Sequence, residues 1–327
     1  MRVFLKVLGW AAAVPLLLWS FGALYHDAAP AAAWGFLAAV VAAMVMLRRT
    51  GRTWLVAVAG FFCVLVWWLL LLPSHDRVWT AEYARLPWAE IRGNEVTIHE
   101  VRNFDYPDGG GTVERWETRV INLEDIEGLD VAVNYWGSPW IAHPIVIFRF
   151  KDAPPLAFSI ETRRQEGEYY SALAGFYRQY ELIVLAADER DLIGVRTNHR
   201  AGEEVYLYAT TATPVQARSR LMDYLRTLNG IRDKARWYNA VTTNCTTAIR
   251  GMHQGRLPPF DWRLLINGKG DEMLYERGLL RSDGLTFAEL KARALINAAA
   301  GEAYHAGSFS EAIRRERPGF TASAGGE

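Results

Sequence analysis

Apolar residues fill three nearly continuous runs early in the chain: VLGWAAAVPLLLWSFGALY (7–25), AAAWGFLAAVVAAMVML (31–47) and WLVAVAGFFCVLVWWLLLLP (54–73). None contains a charged residue, and each approaches the roughly 20 residues that a helix needs to cross a hydrocarbon core about 30 Å thick. Trp10, Trp34, Trp54 and the Trp67–Trp68 pair fall at or near run ends, where indole favours the membrane interface. The pattern predicts a three-helix membrane region over residues 1–74.

Beyond residue 74 the apolar pattern shortens and alternates. VTIHEVRNF (96–104) and VERWETRVINL (113–123) read as strands around the turn PDGGG. GLDVAVNYW (128–136), PIVIFRF (144–150), LAFSIET (156–162), YELIVLAA (180–187) and EVYLYAT (204–210) follow as further strands, rich in β-formers and mostly bounded by Gly, Pro or Asp. EGEYYSALAGFYRQY (166–180) reads as helix, DERDLIGVR as a short helix, and TPVQARSRLMDYLRTLNGI (213–231) as an amphipathic one. Val215, Leu221, Tyr224, Leu225 and Leu228 lie on or near one face of the last. Strands followed by helices predict an α+β domain over 75–319, and residues 320–327 form a polar, disordered tail.

Charge orients the chain. Arg2 and Lys6 precede the first run and Arg48, Arg49 and Arg52 fill the second connection, whereas the first connection, HDAAP, has no Lys or Arg. Basic flanks stay in the cytoplasm, so the amino terminus is inside and everything after Pro73 is outside, in the periplasm of a bacterial inner-membrane protein. A cleavable signal peptide with small residues at Ala31 to Ala33 is the rival reading of the first run. Tyr25, His26 and Asp27 make a poor cleavage site, and the outer domain stays outside on either reading. Acidic and basic residues number 36 each, so the zero net charge gives no field for nucleic acid. No HExxH, paired CxxC or carboxylate cluster at metal spacing occurs, and NGKG (267–270) lacks the preceding glycine of a phosphate loop. Neither a cofactor nor a metal is expected.

The chain has two cysteines. Cys63 is in the third apolar run, and Cys245, in TTNCTT, is a lone thiol in an oxidising compartment. Thr242, Thr243 and Asn244 are helix-capping types, so Cys245 falls in the first turn of a predicted helix. Unpaired N–H groups and the helix dipole there favour the thiolate. A buried small hydrophobe is the alternative reading.

A thiolate nucleophile needs an imidazole. His26 and His75 flank spans, His99 is in a strand, His199 is in a polar turn, and His305 is near the tail. His253 is eight residues from Cys245, about 12 Å along a helix axis. His143 remains, at the entrance of an apolar strand where Pro144 imposes an extended approach. If strands 144–150 and 156–162 pair as a hairpin around Asp152 to Pro154, one register sets Glu161 opposite or diagonal to His143 on the same face; a one-residue slip separates them. Its carboxylate would then hold Nδ1 and present Nε2 to the thiol. An ion pair of Glu161 with Arg163, Arg164 or Arg178 is the competing reading, and an ordinary strand-end histidine is the alternative for His143.

The ordered series VRNFDY (101–106), NYW (134–136), AHPIVIF (142–148), SIETRRQEGEYY (159–170), YELIVLAADERDLIGVRT (180–197), VYLY (205–208), WYNAVTTNCTT (237–247) and FSEAIRRERPG (309–319) resembles the Lnb N-terminal periplasmic domain family over roughly residues 75–319. The resemblance implies a circularly permuted papain-like, NlpC/P60-like antiparallel-sheet domain with helices, in which histidine precedes cysteine. It implies Cys245 as nucleophile and His143 as base, with Glu161 added from the hairpin argument. Asn244, Tyr135 and Trp136 are candidates for oxyanion or substrate contacts; packing in the core is the other reading of Tyr135, Trp136 and Trp140. The activity it implies is acyl transfer of the lipoprotein N-acyltransferase kind, from a lipid ester through a thioester to an amine. The implied partners are membrane phospholipid or lipoprotein in the inner membrane. A cysteine amidase or endopeptidase acting on envelope peptide, and a non-catalytic membrane-anchored binding module, are the alternatives.

Overall fold

The structure, a computed structural model, describes residues 2–107, 109–242, 261–264 and 267–320. It divides into two compact units. One comprises Met1–Arg77, Gly167–Glu181 and Ala235–Ala240; the other comprises Val78–Glu166, Leu182–Lys234 and the chain from Val241 onward. The first therefore draws in two segments that the sequence alone assigns to the outer domain.

The first unit contains helices α1 (Arg2–Asp27), α2 (Pro30–Met46) and α3 (Trp54–Leu70). Among the described residues only α1 includes a stretch long and apolar enough to cross a membrane by length, Val7–Asp27; α2 and α3 have 17 residues each. The third apolar run reads as helical to Pro73, but Leu71 is already extended, so the helix stops two residues before the proline. Small residues face inward. Ala13, Ala23, Ala33 and Ala57 are fully buried, while Leu18, Trp34, Val45, Phe62 and Leu70 are exposed. A side chain added at Gly9 would overlap the Trp54 ring, and one at Gly60 would crowd Phe36. The helices thus approach closely through small residues and carry their large apolar groups outside.

The second unit is α+β. Strands β1 (Trp88–Arg92), β2 (Glu95–Arg102), β3 (Trp116–Asn122), β4 (Ile126–Trp136), β5 (Ala142–Phe150), β6 (Leu156–Arg163), β7 (Glu181–Asp188) and β8 (Glu203–Ala209) form one sheet in the order β1-β2-β7-β6-β5-β4-β8, with β3 also paired to β2. The sheet is mixed, because β2 and β7 run parallel, whereas β4–β5, β5–β6 and β4–β8 are antiparallel. The predicted strands are all present. Among the described residues the helices are α4 (Glu189–Gly194), α5 (Pro214–Asp233), α6 (Gly270–Glu276), α7 (Phe287–Ala294), α8 (Asn297–Ala303) and α9 (Phe309–Ala312).

Alternation along the strands sorts the side chains onto two faces. Ala132, Ile145, Ile147, Ala157 and Leu207 pack against Leu192 and Ile193 of α4, Ala300 of α8 and Phe309 of α9. On the reverse face Val131, Val133, Tyr135 and Tyr208 meet Leu290 and Ala294 of α7, and Phe148 and Phe158 meet Tyr224 of α5. Helix α5 starts at a reciprocal Thr213–Gln216 capping box and buries Leu221, Tyr224, Leu225 and Leu228 as its pattern predicts. Val215 is an exception at 77% exposed, since it sits in the first turn beyond the edge of the contact.

One predicted helix is absent. Residues 166–180 form an irregular segment with a single 3-10 turn, Ala174–Phe176. Gly167 adopts the left-handed conformation at φ 83°, and the Tyr180 hydroxyl donates to the Tyr169 carbonyl and accepts from Ser171 N. These cross-segment bonds replace an intrahelical ladder.

Candidate active site

The β5–β6 hairpin fixes the site. Ile145 pairs with Ser159 and Val146 with Phe158, so the same register carried two residues further sets His143 opposite Glu161. In β4 the residue opposite His143 is Asn134. Asn134, His143 and Glu161 thus form a polar row across the end of the sheet face whose middle is the apolar cluster of Ala132, Ile145 and Ala157.

The row is closely bonded. His143 Nε2 lies 2.5 Å from Ser159 Oγ, and the Ser159 hydroxyl donates to Glu161 Oε1 at 2.6 Å. Nε2 is also 3.2 Å from the same Oε1. Arg196, in the π-helical turn Val195–His199 that follows α4, donates to Oε1 from Nη2 at 2.8 Å and to the Leu192 carbonyl from Nη1 at 2.7 Å. One carboxylate oxygen therefore gathers a hydroxyl, a guanidinium and an imidazole. Ser159 is fully buried, and His143 and Glu161 are 11% and 13% exposed through their side chains.

Burial alone would push the Glu161 carboxyl up. The His143 charge and hydrogen bond, then Arg196 and Ser159, outweigh burial and hold it well below the usual carboxylate range. Glu161 is therefore an anion at neutral pH. Burial lowers the proton affinity of the Arg196 guanidinium, with Glu161 opposing. Asn134 donates from Nδ2 to Glu203 Oε2 at 2.6 Å, which ties the row to β8.

The ring nitrogen facing the carboxylate is Nε2, whereas the sequence argument assigned that side to Nδ1. With a serine hydroxyl committed as donor to Glu161, the Ser159 oxygen accepts from Nε2–H, which leaves Nδ1 as the basic nitrogen of the neutral ring. The imidazolium formed when Nδ1 takes a proton is stabilised by the Glu161 anion through one hydroxyl and one direct contact.

Three arginines weighed as partners of Glu161 are occupied elsewhere. Arg163 donates to the Tyr83 and Ala84 carbonyls, Arg164 to Glu82 and the Tyr83 hydroxyl, and Arg178 to the Trp68, Leu69 and Leu71 carbonyls. Arg196 takes the role, and neither it nor Ser159 was singled out in the sequence. Ser159 could have been found, because it is two residues from Glu161 on the same face of a strand. Arg196 carries no such local signal.

Tyr135 does not join the row. It points to the reverse face, where its hydroxyl donates to the Gly268 carbonyl at 3.0 Å and the Lys291 ammonium lies 3.9 Å from its ring centre. Trp136 shares the His143 face of β4, paired with Glu203 at the strand end, and is half-buried. Trp140 is 51% exposed. Cys245 and Asn244 lie outside the described residues. Among the described residues no group of three or more His, Cys, Asp or Glu side chains is gathered as a metal site.

Comparison with known proteins adds the context. No curated protein and no solved structure matches the chain. The family model described as Lnb N-terminal periplasmic domain matches residues 112–268, a narrower stretch than the motifs suggest but one that spans positions 143, 159, 161, 196 and 245. With the apolar helix α1 ahead of it, this marks a membrane-anchored protein with a periplasmic domain. The segment 112–268, which holds His143, Ser159, Glu161 and Arg196, belongs to the Lnb N-terminal periplasmic domain family.

Proposed function

We propose that the protein is a thiol acyltransferase of the lipoprotein N-acyltransferase kind, with Cys245 as nucleophile and His143 as its base. The observation that carries this reading is the imidazole anchored through Nε2 by Ser159 and the Glu161 anion. A histidine held in this way is suited to activate a nucleophile, and TTNCTT offers a thiol later in the same family segment. The order histidine before cysteine supports a circularly permuted papain-like arrangement.

The chemistry follows from these groups. Nδ1 of His143 takes the Cys245 proton, and the thiolate attacks the carbonyl carbon of a lipid ester. Collapse of the tetrahedral intermediate breaks the ester C–O bond; the imidazolium returns its proton to the leaving alkoxide, and the acyl group remains on sulfur as a thioester. An amine then attacks the thioester, His143 takes the amine proton, and the amide leaves as the thiol is restored. Backbone N–H groups at the predicted helix start, with the Asn244 amide, would meet the oxyanion.

The membrane supports a lipid substrate. We read α2 and α3 as spans alongside α1: at 17 residues each they extend about 25 Å, near the lower limit for crossing, and their large side chains face outward. Arg48, Arg49 and Arg52 then mark the cytoplasmic side. Anchoring in the membrane raises the local concentration of headgroups around the periplasmic domain.

The test is to incubate purified full-length protein with phospholipid carrying a labelled acyl chain and to look for a hydroxylamine-sensitive adduct. The label is expected on Cys245, absent from Cys245→Ala and strongly reduced in His143→Ala. Release of peptides from peptidoglycan with no such adduct would replace this reading with an amidase.

A further inference from the structure

Within the first unit, the segment Gly167–Glu181 is fastened to the ends of α1 and α3. Asp27 ends α1, and its carboxylate accepts from Arg178 N at 3.0 and 3.1 Å and from Trp68 Nε1 of α3 at 2.7 Å. Arg178 in turn donates from Nη1 to the carbonyls of Trp68, Leu69 and Leu71, which closes the carboxyl end of α3. By the placement of Arg48, Arg49 and Arg52 at the opposite end of α3, these fastened ends face the periplasm.

The segment does not stop at the helix ends. The Tyr177 side chain lies so close to Gly22 that any side chain there would overlap its hydroxyl, and its ring contacts Trp19 at 6.3 Å and His26 at 5.3 Å. Gly22 and Trp19 are five and eight residues below Asp27, or about 7.5 and 12 Å along the helix. Tyr177 thus descends alongside α1 to the level of Gly22 and Trp19, within the apolar stretch Val7–Asp27.

Its neighbours carry apolar groups outward: Tyr169 is 85%, Leu173 69% and Phe176 48% exposed. The backbone here is irregular, and from Ser171 to Arg178 most of its donors are bonded within the unit. Ser171 N donates to the Tyr180 hydroxyl, Ala174 N to Ser171 Oγ, Gly175 N to Ser171 O, Phe176 N to Leu173 O, Tyr177 N to Ala174 O, and Arg178 N to Asp27. This closure lowers the cost of bringing the turn around Phe176 near lipid, where an unpaired backbone group costs several kcal/mol.

We propose that Gly167–Glu181 is a lipid-inserted wedge, with Tyr169, Leu173 and Phe176 seated among the acyl chains of the outer leaflet beside α1. The surface continues the lipid-facing side of the helices, so its occupant is the bilayer. This rests on the anchoring of the chain by α1 and not on the acyl-transfer chemistry. Aromatic side chains with polar tips, such as Tyr169, favour the interfacial depth that such a wedge would occupy.

Two measurements on the full chain in phospholipid vesicles test it. In wild-type protein, a phospholipid with a photoreactive group near the ester end of its acyl chain is expected to label the tryptic peptide Gln165–Arg178; labelling confined to peptides of α1–α3 overturns the wedge while leaving the anchoring intact. Nitroxide labels at Leu173→Cys and Phe176→Cys, in a Cys63→Ser, Cys245→Ser background, report depth. Both are expected to collide with oxygen rather than a water-soluble nickel complex several-fold more than a label at Asp152→Cys, and to resemble one at Val14→Cys. Collision ratios like those of Asp152→Cys, or dipolar broadening between labels on two copies, would overturn the proposal, the latter by showing that protein covers the patch.

Discussion

His143 turns Nε2 toward Glu161, 3.2 Å from its Oε1, with the Ser159 hydroxyl between them at 2.5 Å from the ring. A proton on Nε2 is thereby committed, and in the proposed mechanism proton transfer falls to Nδ1. Glu161 is also the acceptor of Arg196, so its charge is shared between a guanidinium and the imidazole. The shared arrangement keeps the carboxylate ionised and softens its pull on the ring.

Ser159 is a positioning residue in this scheme, and Ser159→Ala removes the shorter of the two contacts to Nε2. Acyl transfer is expected to fall about tenfold, the worth of one hydrogen bond to a charged group. The limb of the pH–rate profile that reports imidazolium should move to lower pH, because the cation loses a supporting acceptor. A fall in rate with an unmoved profile would assign Ser159 a structural role only.

Glu161 makes folding sensitive to acid. Its folded-state carboxyl is held well below the ordinary value of 4.5, so the unfolded chain binds the proton more readily. Stability from this group is fully present above that ordinary value and is lost as pH falls through the folded-state value. Wild-type protein is therefore expected to lose more thermal stability below about pH 4.5 than Glu161→Gln, whose side chain does not titrate. Melting curves of both proteins in one detergent, from pH 7 down to pH 3, decide the matter; parallel losses would show that the carboxylate is not stabilised by its neighbours.

Tyr135→Phe separates the two faces of the sheet. Removing the hydroxyl that donates to Gly268 leaves a buried carbonyl short of a partner and is expected to destabilise by about 1 kcal/mol. Acyl transfer per folded molecule should be unchanged, because the ring lies on the side away from His143. A loss of transfer rate without loss of stability would return Tyr135 to the substrate contacts.

The strands and α5 are legible because their apolar residues repeat with the period of the element that buries them. The hairpin carrying His143 and Glu161 is legible for the same reason, but the register that puts the two on one face is set by the β5–β6 pairing. The 166–180 segment misleads because Tyr169, Leu173, Phe176, Tyr177 and Tyr180 repeat at helical spacing while serving different contacts, Tyr177 along α1 and Tyr180 back onto its own backbone. Arg196 reaches Glu161 only through the packing of α4 on the sheet, a tertiary relation with no local pattern behind it. The choice between Tyr135 and Asn134 hinges on strand parity, which the β4–β5 register sets. The ring orientation of His143 depends on the third residue, Ser159, whose hydroxyl pairs with Nε2.

Helix α1 is more than a leash. Its last residue, Asp27, closes the backbone of a segment 151 positions downstream and caps the indole of Trp68. A leader peptide is expendable once it has delivered its cargo. Severing this one would strip Arg178 of the acceptor for its backbone N–H and undo the junction that holds 167–181 against the helices, so export and folding converge on the same twenty-odd residues.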